Sequence, residues 1–68
     1  MEPRIGEIWH WYKDDSGCHE NYGPGVVLGI KNGYEYNSRE YFVTFHFANK
    51  GIMNIPITMV RKFMHLIT

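Results

Sequence analysis

Few residues in this chain could do chemistry. Cys18 is the one thiol, His19 is its neighbour, and His10, His46 and His65 complete the four histidines. Nucleophilic catalysis needs a nucleophile held against a base, with a third group orienting that base. Side chains adjacent in sequence are seldom placed for proton transfer, and no third orienting residue accompanies Cys18 and His19. Read as zinc ligands, His10, Cys18, His19, His46 and His65 match none of the short-paired spacings of zinc sites. No glycine-rich phosphate loop runs into a helix. The expectation is a non-enzyme with no cofactor and no metal site.

The aromatic residues are the stronger signal. Trp9, Trp11, Tyr12, Tyr22, Tyr34, Tyr36 and Tyr41 are more than one small interior needs. On an extended strand Trp9 and Trp11 share one face, and Ile8, His10 and Tyr12 share the other. Only one of these faces can be the inside of a closed sheet. The other looks outward, lies beneath a loop, or meets another subunit. An outward aromatic face would suit a base, a peptide or a cation. We therefore take Trp9, Trp11, Tyr12, Tyr22, Tyr34 and Tyr36 as candidate ligand-binding residues. The satellite-core and subunit-contact arrangements stay open beside that one.

Charge narrows the partner. Seven Lys and Arg stand against seven Asp and Glu, for a net charge of zero. Strong non-specific DNA binding depends on cationic side chains displacing counterions, which this balance does not favour. Lys50, Arg61 and Lys62 could still form a small basic patch for nucleic acid if the elements that carry them adjoin. The segment 13–20 (KDDSGCHE) reads as a solvated loop, or as one rim of a groove for a basic peptide.

The elements that must position these residues are strands. The chain has 68 residues, 44% of them hydrophobic and 16% aromatic, which suits one small domain spanning 1–68 with an efficient core. One cysteine allows no intrachain disulfide, the habit of a reducing interior. No signal peptide and no apolar run of membrane-spanning length is evident, so a soluble cytoplasmic protein is expected.

Residues 6–12 (GEIWHWY) read as a first strand, and 13–24 as a loop. Residues 25–30 (GVVLGI) are nearly all apolar and predict a second strand buried on both faces. Asn32-Gly33 is a strong turn signal. Residues 34–39 stay open between loop and an extension of the next strand. Residues 40–47 (EYFVTFHF) predict a third strand, with Tyr41, Val43, Phe45 and Phe47 on the core face. A short hairpin at 48–51 leads to a fourth strand at 51–55, ended by Pro56. Residues 57–60 predict a single helical turn, and 61–67 (RKFMHLI) a last strand. Short strands at intervals of about ten residues predict an all-β, five-stranded small barrel.

The order of these elements resembles the Src-homology-type small barrel, and most of all its Tudor-like branch. The matching features are Ile5-Gly6-Glu7-Ile8, a long loop, Gly23-Pro24-Gly25-Val26-Val27-Leu28, a hairpin, Tyr41-Phe42-Val43-Thr44-Phe45, and a helical turn before a closing strand. The same opening and central run are similar to those of small phage proteins. The resemblance implies a binding module of accessory, phage type. Phe47-Ala48-Asn49-Lys50 stands where the Tudor pattern has an acidic-aromatic-glycine-asparagine run, so no cage residues are carried over. Neither the uridine-pocket signature of Sm-like barrels nor the pore-lining run of the plasmid-borne dihydrofolate reductases is present; Met53-Asn54-Ile55-Pro56 occupies the latter place. The expected function is an interaction module that binds a protein partner through the Trp9/Trp11 face and the first long loop. A single-stranded nucleic-acid binder and a homo-oligomer are the alternatives, and no membrane is involved.

Overall fold

Alternation along the third strand sets the inside of this molecule. In the structure, a computed structural model that describes residues 2–12 and 19–68, strand β3 (Phe42–Phe47) turns Val43, Phe45 and Phe47 inward, all fully buried. His46 points outward. Thr44 is buried on the opposite side from that core, where its hydroxyl donates to Asn54 Oδ1 at 2.6 Å. Tyr41 lies just before the strand and is exposed, so the expected inward face begins at Val43.

Around β3 are β1 (Ile8–Trp11), β2 (Gly25–Lys31), β4 (Gly51–Pro56) and β5 (Met64–Leu66). All pairs are antiparallel in one five-stranded sheet of order β4-β3-β2-β1-β5. One helix, α1 (Ile57–Phe63), joins β4 to β5. The mostly-β class is as expected from the sequence. Trp9, Trp11, Val27, Val43, Phe45, Phe47, Ile55, Ile57, Val60 and Met64 form one buried cluster.

Several boundaries differ from the sequence expectation, each for a physical reason. The first strand begins at Ile8 because Gly6 has φ 92° and Glu7 N–H donates back to Arg4 O, closing a turn. The second strand is not buried on both faces. Val27 is buried, but Leu28 and Ile30 are exposed. The register slips between Val27 and Gly29, so Leu28 sits in a bulge, and the antiparallel sheet leaves its outer face uncovered.

Asn32-Gly33 does not make a tight hairpin. Asn32 Oδ1 accepts from Tyr34 N–H at 2.9 Å and opens a 3-10 turn over Gly33–Tyr36, which Asn37 ends in the left-handed region at φ 54°. Residues 34–39 are therefore loop. Gly33 is required there by close approach, since a Cβ would lie 1.9 Å from the Glu40 carbonyl oxygen. The 48–51 hairpin matches expectation, with Gly51 at φ 94°.

The expected helical turn is a seven-residue helix that takes Arg61–Phe63 from the predicted last strand. Ile57, Val60 and Met64 are buried and Phe63 packs on the core, a helical spacing that continues past Val60. Pro56 at its start offers no side-chain cap. Glu40 supplies one from across the fold: Thr58 N–H and Oγ1–H both donate to Glu40 Oε1, at 3.2 and 2.7 Å. Glu40 lies outside the third strand because pairing on both sides of β3 ends at Phe42, opposite Lys31 of β2 and Pro56 of β4.

Candidate functional site

The first strand carries the aromatic pair, and its two faces are now distinguishable. Trp9 is 5% exposed and Trp11 1%. An exposed platform built on these two rings is thus corrected: they are core. Tyr12, one residue on, is 62% exposed. Glu7 helps to hold Trp9, since its Oε1 accepts from Trp9 Nε1–H at 3.3 Å and from Arg4 N–H at 2.6 Å.

The other candidates scatter. Tyr22 ends a 3-10 turn over His19–Tyr22 and packs edge-on against Phe47, with ring centroids 5.3 Å apart. That contact brings the end of the first long loop onto the core. Lys13–Cys18, including the Cys18 thiol, lie outside the described residues. Tyr34 is exposed in the β2–β3 connection, and Tyr36 ends the turn there. The basic residues are not one patch of open charge. Lys50 Nζ stands 5.5 Å from the Tyr22 ring centroid, Arg61 is ion-paired with Glu2, and Lys62 is exposed on the helix. A groove of about 460 Å³ beside that ion pair is lined by Glu2, Arg4, Glu7 and Leu66. Both of its carboxylates are engaged within the chain.

What sequence reasoning missed is a row running across the sheet. Ile52 of β4 faces His46 of β3, His46 faces Val26 of β2, and Val26 faces Ile8 of β1. Ile67 N–H donates to Ile8 O, which extends the row to the residue that follows β5. Ile52 is 67% exposed and Ile67 52%, while Val26 and Ile8 are half-buried. The row crosses β4, β3, β2 and β1 on the outer face, ends at Ile67 just after β5, and holds one polar residue, His46. Beside it on β1 and β5 lies a second group. His10 and His65 are direct cross-strand partners with ring centroids 6.2 Å apart, and Tyr12 packs on His65 at 5.5 Å. No signal within a single segment could reveal either group, because each is assembled by register.

No family model, curated protein or solved structure matches this chain. Among the described residues no helix is long and apolar enough to cross a membrane.

Proposed function

We propose that this chain is a non-catalytic interaction module, a small barrel of the Src-homology type, that binds a protein partner on the outer face of its sheet. The row Ile52–His46–Val26–Ile8–Ile67 carries this reading. Exposed apolar side chains scattered singly are ordinary, whereas a contiguous band is the mark of a surface that is covered in use. On the same face, beyond the His10–His65 pair, Tyr12 packs on His65 and exposes an amphipathic ring of the type enriched at interfaces. The barrel reading is supported by the strand order and by the helix between β4 and β5, which packs Ile57 and Val60 into the same core. The neutral charge fits a protein partner better than nucleic acid, as does the engagement of Arg61 with Glu2 and of Lys50 with Tyr22.

A photo-cross-linking residue at position 46, introduced into the chain in cells that express it, tests this directly. A protein adduct is expected, and it should be suppressed by the double variant Ile52→Lys, Ile67→Lys. Both side chains are exposed, so that variant should keep its circular dichroism spectrum. An adduct to a second copy would assign the face to self-association. An adduct to nucleic acid, or one indifferent to the double variant, would refute the reading.

A further inference from the structure

We propose that His10 and His65 form a two-imidazole site for a borderline divalent transition-metal ion of the nickel, copper and zinc class, closed across β1 and β5. The two residues are direct partners in the antiparallel register. Tyr12 N–H donates to Phe63 O and Ile67 N–H to Ile8 O, each at 2.7 Å, so ladder hydrogen bonds hold the backbone on both sides of the pair. Opposed residues in such a pair have Cβ atoms about 4.5–5.5 Å apart.

The rings lie at 30° to one another with centroids 6.2 Å apart. With metal–nitrogen bonds of about 2 Å, two imidazoles on one tetrahedral ion have centroids about 5 Å apart. Each donor lone pair lies in its ring plane, so the stacked imidazoles must turn about their side-chain torsions as well as close by about 1 Å to converge on one ion; His65 is exposed and free to turn, and His10 is half-buried. A neutral imidazole offers one nitrogen lone pair, and this donor suits zinc, copper and nickel. The outward neighbours on the two strands, Ile8, Tyr12 and Ile67, bring no cation to oppose the ion. Among the described residues no group of three or more His, Cys, Asp or Glu gathers to hold a metal. The chain thus supplies two ligands and leaves the other positions to water or to a partner's groups. Bound metal would clip the three-residue strand β5 to β1.

Zn2+ alone is the probe, since it does not oxidise Cys18. Calorimetric titration should show saturable binding. Thermal unfolding should shift up by about 10 °C or more at free Zn2+ near 100 times Kd. His10→Asn and His65→Asn should each weaken binding by at least tenfold, because loss of even a supporting partner costs that much. His46→Asn should leave it unchanged. If His10→Asn proves unfolded, His65→Asn decides alone, since its side chain is exposed. Absence of saturable binding, or affinity that survives His65→Asn, overturns the proposal.

Discussion

Trp11→Ala and Tyr12→Ala, a pair of neighbours on opposite faces of β1, should differ sharply in stability. Trp11 is among the largest fully buried side chains, packed in the central cluster with Phe63 at 6.3 Å between ring centroids. Truncating a buried tryptophan costs about 3–5 kcal/mol. A chain of 68 residues has a total stability of roughly 3–10 kcal/mol at about 0.05–0.15 kcal/mol per residue. The substitution therefore removes a third or more of what holds the fold together. Urea unfolding followed by far-ultraviolet circular dichroism is the assay. With a slope of about 1 kcal/mol per molar for a chain of this size, the Trp11→Ala midpoint should fall by about 3 M, or the protein should be unfolded at the start. Tyr12 is largely exposed, and its truncation should move the midpoint by about 0.5 M or less. Equal, small shifts in the two variants would refute the assignment of faces and return Trp11 to the surface. Self-association cannot be probed at Trp11, because its burial is complete within one chain; Ile52 and Ile67 are the positions to change.

Three further substitutions test the β2–β3 connection and the support it gives the helix. Glu40→Ala removes the oxygen that accepts from Thr58 N–H and Oγ1–H, and should cost about 1 kcal/mol, read as a lower urea midpoint. Thr58→Ala in the Glu40→Ala background should then cost less than Thr58→Ala alone, and strict additivity would refute the cap. Gly33→Ala places a Cβ against the Glu40 and Ser38 carbonyl oxygens, both backbone atoms that cannot swing aside. It should destabilise by about 1–3 kcal/mol, and a neutral effect in the same unfolding measurement would show that the loop is not closed there.

Most of the architecture was legible in the sequence. Composition, strand spacing and the alternation in 42–47 determined a mostly-β chain whose core includes Val43, Phe45 and Phe47. These are local properties: a period of two needs only the strand's own residues to be visible. The longer helix was partly legible too, in the spacing of Ile57, Val60 and Met64, although Arg61 to Ile67 also alternates like a strand and so conceals the boundary. The Asn32-Gly33 turn signal was local and real, but the approach of Glu40 and Ser38 made a different turn from it.

Only the tertiary structure decided which face of β1 is inside. Both faces carry aromatic residues, so alternation finds two apolar sides and cannot choose between them. The choice falls to packing: Trp9 and Trp11 fill the space that Val27, Phe45 and Met64 leave, and Tyr12 and His10 are left on the outer face. The row from Ile52 to Ile67 and the His10–His65 pair were hidden for the same reason. Their members come from different strands, and what places them side by side is the hydrogen-bond register between strands, which no single segment contains.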